Sequence, residues 1–180
     1  MTDSPFTFLG DEVIHEGMIV SFRNGRFRGP DGEFSRDIVR HPGAVSAIAI
    51  DGDDLFLVKQ YRAPIDDDLW EIPAGKKDVA GEAPETTIVR ELEEEIGMRP
   101  NTLEPLIDLH HSPGFCDEFQ EIFLATDLEP VERRIDSIEE QFMVVQRTPI
   151  DDAIAMALDG RITDAKSIIG ILAAARRLGR

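Results

Sequence analysis

The segment Arg90-Glu91-Leu92-Glu93-Glu94-Glu95-Ile96-Gly97 constrains the chain more than any other. It belongs to a helix predicted from about Pro84 to Ile96, with Pro84 in the first turn and Gly97 just past the end. At about 100° per residue, Ile88, Val89, Leu92 and Ile96 form one stripe, read as the core face. Glu91 and Glu95 lie together on a neighbouring stripe, with Glu94 beside them, and Arg90 is the only basic residue in the helix. Like charges four apart destabilise a helix by roughly 0.2–0.5 kcal/mol per pair. A divalent cation turns that repulsion into a binding site, because Mg²⁺ takes carboxylate and phosphate oxygens. The competing reading is a solvated acidic face.

The residues upstream weigh against the solvated face. Trp70-Glu71-Ile72-Pro73-Ala74-Gly75 reads as an apolar strand ending in Pro and Gly, and the loop Lys76 to Gly81 leads from it into the helix. Strand, glycine-containing loop and acidic helix are the parts needed to hold a metal-bound phosphate between backbone carbonyls and carboxylates. Charge bears on the same point. The 180 residues carry 36 Asp and Glu against 19 Lys and Arg, a formal charge of −17. A general nucleic-acid binder needs a basic footprint, and anionic lipid repels such a surface, so both partner classes are excluded. A polyanionic ligand must therefore be carried by something other than net charge, and divalent cations are the obvious candidates.

The length suits one domain with a proper core, or one domain plus a small appendage. In the first forty residues, Val13-Ile14 and Met18 to Phe22 read as short strands, while Asn24-Gly25 and Pro30-Asp31-Gly32 are turn signals. This stretch has little with which to build a core of its own. Residues 1–40 are therefore assigned to an N-terminal β-strand segment that leans on the rest of the chain or on another chain, and residues 41–180 to the main domain. There, Ala44 to Ile50 and Leu55 to Gln60 flank the turn Asp51-Gly52-Asp53-Asp54 and read as a hairpin, with further strands at Phe119 to Thr126 and Phe142 to Gln146. A second helix starts at Thr148-Pro149, with Thr148 and Asp151 at capping-box spacing, and stops at Gly160. A third runs from about Asp164 to Leu178, with Ile168, Ile169 and Leu172 read as its core stripe. Strands and helices intermix, which predicts a sheet covered by helices.

Cys116 is the single cysteine, so no intrachain disulfide forms, and the flanking Asp117 and Glu118 make it a poor nucleophile. The apolar run Ile168 to Ala175 is too short to span a bilayer, and the polar, acidic start carries no signal-peptide pattern. The expectation is a cytoplasmic protein that touches neither membrane nor nucleic acid.

Gly75, Glu82 and Arg90-Glu91-Leu92-Glu93-Glu94-Glu95-Ile96-Gly97-Met98 resemble the Nudix box. One departure is visible: six residues separate Gly75 from Glu82 where the usual pattern has five, and the extra one falls in the loop Lys76 to Gly81. Ser112-Pro113-Gly114, with Pro113 fifteen positions after Met98, resembles the ADP-ribose pyrophosphatase branch of that family, as do Gln60-Tyr61-Arg62 and Glu71 to Gly75. The resemblance implies an α/β fold, a Nudix α/β/α sandwich on a mixed sheet with an N-terminal antiparallel β segment. It implies Mg²⁺-dependent (or Mn²⁺-dependent) hydrolysis of the diphosphate of ADP-ribose, or of a related nucleoside diphosphate sugar, to AMP and ribose 5-phosphate. It also implies a homodimer in which the N-terminal segment packs across the partner.

Residue roles follow from the same resemblance. Glu91 and Glu95 would ligate the metal directly, Glu94 would ligate or support them, and the Ala74 carbonyl would complete the site. Glu82 and Arg90 would pair to fix loop to helix, leaving Glu93 in solvent. The base that deprotonates water would be Glu139, with Glu140 as the substitute; the competing reading of that stretch is an acidic surface turn. Arg36 and Arg62 would contact phosphate, since a guanidinium fork pairs two oxygens at once, although Arg36 reads equally as an ordinary surface arginine. Glu71, Gly114 and Glu118 would lie around the sugars and phosphates, while His110 and His111 are structural or loosely substrate-facing. Three rival functions remain at this level: the same chemistry on a GDP-sugar or a dinucleotide, a catalytically inactive nucleotide-binding sensor, and an acidic protein–protein module.

Overall fold

Alternation along one strand builds both halves of the core. In β4 (Ala44–Asp51), Val45, Ala47 and Ala49 face one way and Ile48 and Ile50 the other, all of them buried. An apolar run buried on both faces needs a covering layer on each side. Helix α1 (Pro84–Ile96) supplies one layer through Ile88, Leu92 and Ile96, packed with Phe56, Val58 and Phe123. Helices α2 (Ile150–Asp159) and α3 (Ala165–Leu178) supply the other through Ala153, Met156, Ala157, Ile171 and Ala174, packed with Leu55, Leu57, Ile72 and Ile122.

In this computed structural model, residues 4–133 and 141–180 are described. They form two units. The larger comprises Ala44–Leu109 and Gln120–Arg180. Its sheet runs in the order β10 (Val144–Pro149), β5 (Asp54–Arg62), β4, β9 (Phe119–Pro130), β8 (Met98–His110). β6 (Asp67–Glu71) pairs with β5, and β7 (Ala74–Lys76) pairs with β4. β4 and β9 are parallel and the β4–β5, β5–β6 and β4–β7 pairs antiparallel, so the sheet is mixed. The fold class is the predicted α/β/α sandwich.

The smaller unit comprises Met1–Gly43 and His110–Phe119. β1 (Thr7–Glu16), β2 (Ser21–Gly29) and β3 (Gly32–Arg40) make an antiparallel three-stranded sheet. Phe115 and Asp117 bond the Val39 backbone, and Arg40 bridges Asp11 and Asp117. Among the described residues no apolar side chain of this unit is buried; Phe6, Phe8, Val13, Ile14, Met18 and Ile19 are all exposed.

Several local readings need correction. The strand expected over Trp70 to Gly75 is two strands, β6 and β7, broken at Ile72-Pro73, because Pro73 has no N–H to donate to a ladder. β4 splits accordingly: its first residues pair with β7, while only Ile50 and Asp51 pair with β5. The hairpin across Gly52-Asp53 is present, but it is short. Asn24-Gly25 lies in mid-strand, held by β1 and β3 on both sides. The first turn instead falls at Gly17 to Val20, which takes in Met18 to Val20 of the strand expected there. Phe142 is exposed and precedes β10. Thr148 belongs to β10, and α2 starts after Pro149 with no side-chain cap, so the expected capping box is not formed. On α3 the buried stripe is Gly170, Ile171, Ala174 and Ala175, while Ile168, Ile169 and Leu172 are half-buried. A Cβ at Gly170 would stand 3.2 Å from the side chains of both Ile48 and Ile72. The helix therefore lies against the sheet along its small residues, and the larger ones flank the contact.

Candidate active site

The site grows from the place where β7 meets α1. β7 runs along β4 with Val45 opposite Gly75 and Ser46 opposite Ala74. The chain then returns through the loop into α1, which begins at Pro84 and ends on Gly97 in the left-handed region, φ 66°. Thr87 and Glu82 tie loop to helix, Thr87 Oγ1 donating to Glu82 Oε2 at 2.7 Å. Arg90 lies 3.6 Å from the same Glu82 oxygen.

Gly75 is required by a close approach. A Cβ there would sit 2.0 Å from the Glu91 carboxyl carbon, so Glu91 fills the space that a side chain would take. Glu95 is 5% exposed, and its Oε2 accepts the Ala74 N–H at 3.0 Å. Glu94 stands at 3.0 Å and Glu91 at 2.7 Å from Arg90 Nη1. Ala74, Glu91, Glu94 and Glu95 are thus brought to one turn of helix and one strand. Glu93 is half-buried and paired to Arg99 rather than free in solvent.

Burial dominates the acidity of this cluster. It lifts the Glu91 carboxyl to about 7, with Glu94 adding to the rise and Arg90 opposing it. It lifts Glu95 to about 8, opposed by the Ala74 N–H and then assisted by the charge of Glu91. Carboxyls held at such values lack enough positive charge nearby. Their oxygens, with backbone carbonyls of the adjoining strand, are the donor type that a hard divalent cation prefers, and the residues present fit such an ion. Among the described residues no three His, Cys, Asp or Glu side chains converge on one point, and Arg90 holds two of the carboxylates.

Arg62 and Glu71, both expected around substrate, are joined to each other. Arg62 Nε and Nη2 donate to the two Glu71 oxygens at 2.6 Å each. Glu71 is 1% exposed and also receives Lys166 Nζ. Burial would raise the Glu71 carboxyl, but the Arg62 hydrogen bonds and the Lys166 charge outweigh it and hold the group below the usual range.

Three other expected residues, Arg36, Gly114 and Glu118, belong to the smaller unit. Arg36 is on β3, its guanidinium 4.7 Å over the Phe34 ring and donating to the Ser35 carbonyl. Gly114 is in the turn between Ser112 and Cys116, and Glu118 lies 3.9 Å from His111. His110 packs on Phe119, ring centroids 5.1 Å apart. Glu139 and Glu140 lie outside the described residues.

The sequence reading missed Lys166 and Asp164. A signal was present: a lysine in the first turn of a helix opposes the helix dipole, which favours acids there, so such a lysine calls for a carboxylate partner.

A mixed sheet between two helical layers, with a glycine strand meeting an acidic helix, defines an α/β protein. The chain belongs to the NUDIX domain family, whose model matches residues 40–169. Enzymes of this family generally need a divalent metal ion. The chain is 39% identical over 175 residues to an ADP-ribose pyrophosphatase of Mycobacterium tuberculosis, covering 96% of this chain and 84% of that protein. It is 36% identical over 165 residues to an ADP-ribose pyrophosphatase of Bacillus subtilis, covering 91% and 89%. A crystal structure of an ADP compounds hydrolase superposes with a TM-score of 0.84 at 22% identity, over 99% of this chain and 97% of that one, and so shares the fold. No helix among the described residues is long and apolar enough to cross a membrane.

The raised carboxyls make metal-free stability depend on pH in a stated direction. A carboxyl whose folded value exceeds its unfolded one keeps its proton longer when folded. Stability then falls as pH rises from the unfolded value of 4.5 towards the folded values of about 7 and about 8. With chelator present, thermal melts should show the midpoint falling between about pH 5 and about pH 8. Glu95→Gln should flatten that fall, and added Mg²⁺ should reverse it at the alkaline end. A Glu95→Gln protein with the wild-type pH slope would refute the assignment of burial as its cause.

Proposed function

We propose that this protein is a Nudix pyrophosphohydrolase that cleaves the diphosphate of ADP-ribose, or of a closely related nucleoside diphosphate sugar, to AMP and ribose 5-phosphate. The observation that carries the reading is the carboxylate cluster itself. Glu91 is seated against Gly75 and Glu95 buried on the Ala74 N–H, in a chain whose near full-length relatives bear the name ADP-ribose pyrophosphatase. An inactive sensor would not need buried carboxyls so short of positive charge.

The residues divide the work. Glu91, Glu94 and Glu95, with the Ala74 carbonyl, would hold Mg²⁺, or Mn²⁺ in its place. When bound, the ion neutralises the diphosphate and lowers the pKa of the attacking water. Arg62, and Arg36 from the N-terminal sheet, would bind diphosphate oxygens, and Glu71, Gly114 and Glu118 would surround the sugars. Glu139, or Glu140 beside it, would take the water proton. As the water oxygen bonds to phosphorus, the bridging P–O bond breaks and its electrons leave with the departing phosphate. A cytoplasmic setting suits the single unpaired cysteine.

The substrate reading is tested by a hydrolysis screen of nucleoside diphosphate compounds with Mg²⁺. ADP-ribose should lead, and preference for a GDP-sugar or a dinucleotide would replace it with the neighbouring activity. In the same assay Glu95→Gln should abolish turnover while circular dichroism stays native, because a hard anionic ligand is lost and the shape is kept. Near-wild-type activity at saturating Mg²⁺ would overturn the ligand assignment.

Glu139→Gln should lower kcat by roughly 10²- to 10⁴-fold, the usual worth of a positioned base, with little change in KM. A large loss in Glu140→Gln alone would move the role by one residue.

Assembly forms part of the same reading. The smaller unit buries no apolar side chain among its described residues and exposes Phe8, Val13, Ile14, Met18 and Ile19. Such a surface, on a sheet whose β1 edge has no partner strand among the described residues, supports a two-fold homodimer that brings the N-terminal segment to the site. Light scattering on the full chain should give a dimer, and a chain starting near His41 should lose solubility or activity. A monomer with full activity would refute it.

A further inference from the structure

Lys166 is a buried cation that the reading above does not use. It is 7% exposed, in the first turn of α3. Lysine is almost never this buried without a partner. Its Nζ reaches Glu71 Oε2 and, at 3.0 Å, Asp164 Oδ2. Asp164 caps the helix by accepting from Ser167 N at 3.0 Å, which fixes the Lys166 backbone in turn. Ser167 Oγ accepts the Ile72 N–H at 2.8 Å, so the start of α3 is tied to the chain just past β6.

The four charged groups form a chain of contacts in the order Asp164, Lys166, Glu71, Arg62, two anions and two cations. Glu71 Oε2 is the shared atom: it takes Lys166 Nζ and Arg62 Nη2, while Oε1 takes Arg62 Nε. Two of the three guanidinium nitrogens are thereby committed, on a side chain that is still 41% exposed. Glu71 alone could rotate about its last torsion, which is broad for a carboxylate. With Nζ on Oε2 it has one orientation, and Arg62 is set by it.

We propose that Lys166 is a positioning residue: it locks the Glu71 carboxylate so that Arg62 is clamped through Nε and Nη2, with its remaining edge presented to a phosphate oxygen of the substrate. The inference rests on the reading of Arg62 as a phosphate contact. A charge-assisted pair that must be assembled on binding, instead of standing ready, weakens ground-state binding and leaves the chemical step alone. The competing role for Lys166 is to fasten α3 to β6, a purpose the Ser167–Ile72 bond also serves, with Ser167 Oγ and Lys166 Nζ both donating to Asp164 Oδ2.

Two readouts separate these roles. The first is the Arg62 Nε–H resonance in a nitrogen-15 spectrum of the full chain without substrate. A clamped guanidinium gives a resolved, exchange-protected signal. The second is the split between KM and kcat on ADP-ribose. Lys166→Met should lose the protected signal and raise KM roughly 10- to 100-fold, with kcat within about threefold. Lys166→Arg should restore both. Ser167→Ala should lower the melting temperature and leave both unchanged. Lys166→Met with wild-type KM and an intact Arg62 signal would overturn the proposal. Should Lys166→Met not fold, Glu71→Gln decides: it should lose the signal and raise KM, and an unchanged signal and KM would overturn the proposal equally. Wild-type protein that hydrolyses no nucleoside diphosphate compound would sink the functional reading, while the Arg62 signal in Lys166→Met would still judge the clamp.

Discussion

Glu95 is a carboxyl group inside the protein, on the turn of α1 that also carries the core residues Leu92 and Ile96. Among the described residues its hydrogen-bond donor is the Ala74 N–H. Burying a carboxylate so thinly supported is costly, and the protein answers by keeping the proton up to about pH 8. That cost has a structural origin. α1 lies on the sheet through Ile88, Leu92 and Ile96, so the residue beside the last of these must face β7. The helix cannot bury its apolar stripe without presenting Glu95 to Ala74 and Glu91 to Gly75.

The sheet makes room for this through a break. Pro73 interrupts what would be one long strand, β6 stays on β5, and β7 moves over to β4. The two ends of the break carry different chemistry. On the β7 side, Arg90 pairs with Glu91 and Glu94, and burial still raises the Glu91 and Glu95 carboxyls. On the β6 side, Glu71 is enclosed by Arg62 and Lys166 and stays ionised. The first group of carboxyls keeps its protons to about pH 7 and about pH 8, while the second is paired with two cations.

The N-terminal sheet follows different physics. Its cohesion comes from backbone ladders, an aromatic row through Phe6, Phe34, Phe27 and Phe8, and the Arg40 bridges to Asp11 and Asp117. Apolar residues here stay on the surface, the reverse of β4, where every residue from Ala44 to Ile50 is buried.

By itself the sequence determined the layers and the chemistry of one helix. Local rules suffice there: the spacing of Ile88, Leu92 and Ile96 sets the buried stripe of α1, Pro84 and Gly97 set its ends, and three glutamates follow on the adjacent face. Long-range contacts decided the rest. Thr148 has capping spacing yet serves β10, because pairing with Leu55 outweighs a local cap. Ile168, Ile169 and Leu172 form the apolar stripe on α3, yet Gly170 sets the contact, because closeness to Ile48 and Ile72 rewards the smallest residue. Lys166 and Glu71 are 95 residues apart and meet only because α3 packs beside the end of β6. No local pattern encodes that meeting. The pairing of a buried lysine with a buried glutamate is a property of how two elements dock, and only the tertiary structure decides it.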